Sequence, residues 1–249
     1  MSPLHALAIA GAGLVAGMMN VVVGAGSFVT FPVLLALGYP AVEANVTNTV
    51  GLVFGSASGV VAYRRELSGQ RPRLAVLGIA SGAGGLLGAA LLLAFAPSVF
   101  RHVVPYLILG ASVLVLFGPR LSRAVADHPH RSTQGGVALF VGVFATGVYG
   151  GYFGAAQGIV LLALLGTFLA DELQRLNAAK NVMALVVNAV AAVYFALRTH
   201  VAWPAAAIIA IGSIVGGQIG GVLGRRLPAP VLRLIVVLVG VTVSVVLFV

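Results

Sequence analysis

The sequence predicts an all-α integral membrane protein of two inverted repeats. Each repeat is expected to hold a glycine-broken returning helix pair plus three spans, about eight full spans and two half-helices in all. Three observations carry this expectation: the composition, a series of apolar runs separated by short basic loops, and one broken apolar motif that recurs after about 130 residues. Hydrophobic residues make up 60% of the 249-residue chain and charged residues 8%, whereas soluble domains carry about a quarter charged residues. Mean hydropathy is +1.12. So little charge cannot cover a soluble surface, and the bilayer is the expected solvent.

Apolar runs lie at 4–23, 28–38, 41–63, 74–96 and 103–117, then at 136–153, 158–170, 173–197, 203–223 and 231–248. The first lacks a basic flank and a cleavage site, and reads as a retained span. The longest polar stretch, 118–135, reads as a connection between halves. The expected organisation is therefore a membrane repeat over 1–118, a cytoplasmic linker over 119–135 and a second membrane repeat over 136–249. Fourteen Lys and Arg against five Asp and Glu give a formal charge of +9. These basic residues sit in short clusters between apolar runs, as membrane loops do, rather than in one patch for nucleic acid. With no cysteine there are no disulfides, thiolate metal sites or thiol chemistry.

The halves repeat. LVAGMMNVVVGAGSFVTFPVLLALG from Leu14 parallels FVGVFATGVYGGYFGAAQGIVLLALLG from Phe140, and Gly17 and Gly24 align with Gly147 and Gly154. Each broken stretch leads to an acid (Glu43; Asp171 and Glu172) and then to a polar-studded helix, in which Asn48 matches Asn181. If each broken stretch crosses the membrane once, Lys and Arg divide eight against six. If each turns back at its glycines, the loops at 64–73, 118–135, 171–180 and 225–233 share one side. Twelve positive charges then face Arg101 and Arg198 alone. The second split obeys the positive-inside rule, and it inverts the repeats.

Irregular backbone at membrane depth survives only when buried in protein or lining a wet cavity. A half-helix starting after such a turn aims N–H groups and a positive dipole end at that cavity, which favours an anion. Gly24, Gly26 and Ser27 mark the first turn, and Gly154 and Gln157 the second. Thr47 and Asn48 open one polar helix; Asn177, Lys180 and Asn181 share a face of the other, continued by Asn188. An ammonium near the membrane interior is costly and marks a functional candidate. Plainer roles stand beside these: glycines that only let helices pack, a Lys180 that snorkels to headgroups, and hydroxyls at Thr49 and Ser56 bonded to their own helix. Glu43, Asp171 and Glu172 stand where carboxylates cap helices. The five histidines lie at span ends or in the linker with no metal-ligand spacing, so no metal and no cofactor is expected.

The broken glycine-rich segment, its proline and the following polar helix resemble the sulfite exporter TauE/SafE family over about residues 10 to 248. The first copy is GAGSFVTFPVLLALGYPAVEANVTNT, with Gly24, Gly26, Pro32, Gly38, Ala44 and Thr47. The second is GGYFGAAQGIVLLALLG followed by LNAAKNV, with Gly151, Gly154, Gly158, Asn177, Lys180 and Asn181. Ala25, Ala156 and Gln157 depart from the glycine-rich pattern. The resemblance implies a transporter of sulfite, organosulfonates, related sulfur oxyanions or small organic acids in a prokaryotic cytoplasmic membrane, and export as the direction. The expected partners are a small anionic substrate and the lipid bilayer, without nucleic acid; the oligomeric state stays open, a homodimer included. An anion channel or uniporter on the same scaffold and a non-transport assembly role are the alternatives. Catalysis is not expected, because Ser56 and Ser58 have no base placed to activate them.

Overall fold

The computed structural model describes residues 1–126 and 136–223. The apolar run at 231–248, residues 127–135 of the linker, and Arg225, Arg226 and Arg233 lie outside the described residues. Within them the regular structure is helical: α1 (Pro3–Val22), α2 (Ser27–Ala36), α3 (Ala41–Ala62), α4 (Arg71–Ala94), α5 (Pro97–Ala126), α6 (Gly136–Tyr152), α7 (Gln157–Phe168), α8 (Leu173–Arg198) and α9 (Trp203–Leu223). Helix α5 runs on past the end of its apolar run at 117 to Ala126. Prolines 3, 72, 97 and 204 fall in first turns, where the missing N–H costs no helix bond.

Among the described residues, α1, α4, α8 and α9 are long and apolar enough to cross a membrane. Helix α3 has a spanning length of 22 residues but buries Asn45, Thr47, Asn48, Thr49, Ser56 and Ser58, which dilute its apolar content. Helix α2, at 10 residues, reaches only about 15 Å, half a bilayer core.

The packing repeats itself. Helix α1 lies on α9 and α4 on α6; α3 lies on α9 and α4 on α8; α3 and α8 pack on each other. Exchanging α1–α4 for α6–α9 turns this set of neighbours into itself. Helix α1 therefore packs on α9 as α6 packs on α4. Both equivalent interfaces bring backbones together at glycine, the mode that replaces hydrophobic driving force within lipid. A Cβ at Gly216 would stand 1.9 Å from the Leu14 carbonyl oxygen, and one at Gly88 2.0 Å from that of Val148.

Two basic loops meet at one end of α3 and α8. Arg73 Nη2 lies 2.7 Å from Asp171 Oδ2, and Arg175 Nε 2.7 Å from Asp171 Oδ1. Arg175 Nη1 donates to the Ser68 carbonyl at 3.1 Å, and Gln70 Nε2 to the Arg175 carbonyl at 3.2 Å. Asp171 also accepts the Glu172 N–H at 3.0 Å, while Glu172 itself makes no side-chain cap bond. Burial pushes the Asp171 carboxyl up, but these hydrogen bonds and the Arg175 charge together hold it below its ordinary value of 3.8. Its contribution to stability is therefore complete above pH 3.8 and is lost only as the pH falls through the lower folded value. At the other ends of α3 and α8, Glu43 lies 3.6 Å from His200.

Candidate functional site

Both helix breaks are built the same way. At the end of α1 the Val23 and Gly24 N–H groups both return to the Met19 carbonyl, at 2.8 and 3.0 Å. At the end of α6 the Phe153 and Gly154 N–H groups return to Tyr149, at 2.9 and 3.1 Å. Gly24 has φ +80° and Gly154 φ +77°, the left-handed conformation that glycine takes without a Cβ penalty. The second break adds Ala156 at φ 58°, the one described non-glycine residue in that region. The departure from the glycine-rich pattern noted in the sequence is therefore carried as local backbone strain rather than as a different turn.

The two breaks touch. Gly158 donates its N–H to the Gly24 carbonyl at 3.1 Å. A Cβ on Gly24 would stand 2.3 Å from the Gly158 Cα, and one on Gly158 2.4 Å from the Gly24 Cα. This amide at the start of α7 is thus spent on the other break rather than aimed at open space. Gly26 plays a packing part as well, since its Cβ would meet the Ala16 carbonyl oxygen at 2.6 Å.

Each broken helix has its terminal carbonyls held by the opposite half. Lys180, on α8, is fully buried and donates from Nζ to the carbonyls of Val21 at 3.0 Å and Asn20 at 3.3 Å. These carbonyls carry the negative end of the α1 dipole. Lys180 therefore points inward and does not reach the headgroups. Asn45, on α3, does the same for the other break through Nδ2 to the Tyr152 carbonyl at 3.0 Å. Among the described residues Lys180 has no carboxylate within ion-pair distance.

Around this ammonium the polar residues divide. Asn48 donates from Nδ2 to Ser27 Oγ at 3.0 Å and accepts a short bond from the Thr30 hydroxyl, which joins α3 to the start of α2. Thr47, one residue earlier and 100° around the helix, turns away. Its hydroxyl accepts the Ala202 N–H at 3.1 Å, ahead of α9. Gln157 fits because residue 150 is glycine: a Cβ there would lie 1.9 Å from Gln157 Oε1. The Lys180 stem runs past Gly158, the residue after Gln157: a Cβ on Gly158 would lie 3.2 Å from Lys180 Cδ. Gln157, Asn177 and Asn181 are 4%, 7% and 4% exposed. Gln157 Nε2 and Asn181 Nδ2 are donors with no hydrogen-bond partner; Asn177 Oδ1 and Asn45 Oδ1 are acceptors with none.

Asn20 was not singled out by sequence reasoning. Its Nδ2 donates to Ser56 Oγ at 3.0 Å, and Asn188 Nδ2 reaches the same oxygen at 3.1 Å. A lone amide in a 20-residue helix whose other polar side chain is His5, in the first turn, was the available signal. Ser58 and Gln218 form a separate contact, with Gln218 Nε2 donating to Ser58 Oγ at 2.8 Å.

Comparison with known proteins agrees with this architecture. The family model described as "Sulfite exporter TauE/SafE" matches residues 9–247. A "Probable membrane transporter protein" of Haemophilus influenzae is 27% identical over 84% of this chain and 80% of its own length. The "Probable membrane transporter protein ORF9" of a Sinorhizobium species is 26% identical, covering 94% of this chain and 88% of that protein. The "Probable membrane transporter protein YfcA" of Escherichia coli K12 is 26% identical over 93% of this chain and 85% of its own. No solved structure matches the chain. A multi-pass helical architecture with paired helix breaks and a match over nearly its whole length lead to one conclusion: the chain belongs to the sulfite exporter TauE/SafE family of membrane transporters.

Proposed function

We propose that this protein is a secondary transporter that carries a small anion out of a prokaryotic cell across the cytoplasmic membrane, holding it between the two helix breaks. The substrate class is sulfite, an organosulfonate or related sulfur oxyanion, or a small organic acid. One observation carries the reading: among the described residues the fully buried Lys180 ammonium has no carboxylate partner, and the residues next in sequence to Lys180 and to Gly158, Asn181 and Gln157, carry buried amide donors without acceptors. A buried charge and buried unpaired donors each cost free energy unless a partner arrives. One oxyanion answers all three. It would take the Lys180 charge and the amides of Asn181 and Gln157, with the Ser27 hydroxyl, steadied by Asn48, as a further donor. Asn177 Oδ1 would accept from a protonated oxygen such as that of bisulfite.

The exchange symmetry of the helix packing and the meeting of the loops at 64–73 and 171–175 support inverted repeats, with about eight spans and two returning half-helices and the basic loops inside. Rocking one half against the other would open the breaks to each side in turn. Outward transport follows the family's description.

The test is sulfite flux in proteoliposomes containing the purified protein. Sulfite is expected to move faster than in protein-free vesicles, and an imposed pH gradient that alters the flux marks coupling. A flux indifferent to that gradient would make the protein a uniporter. No flux of sulfite, sulfonates or small carboxylates would remove the transport reading.

A further inference from the structure

Away from the breaks, two adjoining cavities meet at Pro72 and Arg73. One, of about 320 Å³, lies between the loop before α4 and the loop before α8, and is lined by Gln70, Arg73, Asp171 and Arg175. The other, of about 440 Å³, is an apolar groove between α4 and α6, lined by Val76, Leu77, Val137 and Phe140. Val76 and Val137 are 54% and 79% exposed along it. A cationic pocket thus opens directly into an apolar trough.

We propose that this compound cleft is a binding site for an anionic phospholipid, with the headgroup phosphate against Arg73 and Arg175 and an acyl chain along Val76, Leu77, Val137 and Phe140. Charge decides the class of lipid. Two guanidinium groups against one carboxylate leave the charged lining at +1, which a headgroup of net negative charge neutralises and a zwitterionic one does not. Arg73 spends Nη2 on Asp171 and Gln70, while its buried Nε has no hydrogen-bond partner. Arg175 spends Nε on Asp171 and Nη1 on Ser68, and its side chain is 31% exposed. Asp171 keeps both guanidiniums in place without cancelling them. The exposed Arg71, at the start of α4, adds positive charge at the rim.

The continuity of the two cavities favours a lipid over a free oxyanion. A phosphate or sulfate ion would fill the polar pocket and leave the trough to bulk lipid, whereas a phospholipid occupies both with one molecule. The location fits as well, because basic pockets on the cytoplasmic side of helix bundles are where acidic headgroups concentrate. The cleft joins the loop of one half to the α7–α8 loop of the other. A lipid seated there would bridge the two loops at the place where the Arg73–Asp171 pair and the Arg175–Ser68 and Gln70–Arg175 hydrogen bonds already join them.

Native mass spectrometry on the delipidated full-length protein in detergent tests this, with phosphatidylglycerol, phosphatidylcholine and inorganic phosphate as probes. Phosphatidylglycerol is expected to bind at least tenfold more tightly than phosphatidylcholine. Each of Arg73→Gln and Arg175→Gln should weaken it about fivefold. Phe140→Ser, which leaves the ion pairs intact, should weaken phosphatidylglycerol and not phosphate. Equal binding of the two lipids would overturn the proposal, as would retention of full affinity in Arg175→Gln. Phosphate that competes phosphatidylglycerol off at equal concentration would make the pocket a free-oxyanion site and overturn the lipid assignment. Should Arg73→Gln fail to fold, Arg175→Gln and Phe140→Ser decide the matter.

Discussion

Alanine at Gly24 or Gly158 is expected to destabilise the protein strongly. Each position would drive a Cβ to within 2.4 Å of the other residue's Cα, and backbone on both sides leaves nothing flexible to move aside. Overpacking of this kind costs about 1–3 kcal/mol or more. At Gly24 the left-handed backbone adds about 1–2 kcal/mol. Thermal unfolding of purified variants should show both well below wild type, with Gly24→Ala the lower. Two controls separate the causes. Gly38 has φ +87° with open space around it, so Gly38→Ala should show the conformational cost alone; Gly78, helical and open, should be neutral or slightly stabilised by alanine. A Gly158→Ala protein as stable as wild type would mean that the breaks do not interlock.

Lys180 carries the next largest effect. Lys180→Met is expected to remove sulfite flux by about 10–100-fold, the worth of a charge-assisted hydrogen bond in a buried site. It should also cost about 1–3 kcal/mol of stability, because the Asn20 and Val21 carbonyls lose their donor. A purely structural lysine would predict the second effect only. Lys180→Gln distinguishes the two roles: its amide can still donate to Val21, so stability should largely return, while the charge and the flux should not. Lys180→Arg should not rescue, since a planar guanidinium is broader than the ammonium that this fully buried position holds. Full flux in a folded Lys180→Gln protein would leave Lys180 as a helix cap.

The recurrence of the glycine turn was readable because it is local. The offset of 130 residues that aligns Gly24 with Gly154 also aligns Met19 with Tyr149, the carbonyls to which each turn's N–H groups return. The charge count grouped the 64–73 and 171–180 loops, and Arg73 of the first lies against Asp171 of the second. Where the sequence was silent, the missing information was about which surfaces meet. Thr47 and Asn48 are neighbours of similar chemistry, and only the position of α9 decides that one caps it while the other turns to Ser27. Gly150 matters because Gln157 folds over it, and Gly24 because Gly158 lies on it. Lys180 could be placed in the interior or at the headgroups from spacing alone. Its inward course depends on α1 ending beside α8, a contact 159 residues apart along the chain.

The central claim, that an anion sits among Lys180, Asn181 and Gln157, is tested most directly by the stability of Asn181→Leu with and without sulfite. Asn181 Nδ2 is buried without a protein partner among the described residues, so an apolar side chain of similar size should relieve about 1–2 kcal/mol and raise the unfolding temperature of the unliganded protein. Sulfite should raise that temperature in wild type, because a ligand that binds only the folded state stabilises it. In Asn181→Leu that increment should be largely lost. A variant less stable than wild type that keeps the full sulfite increment would contradict the site.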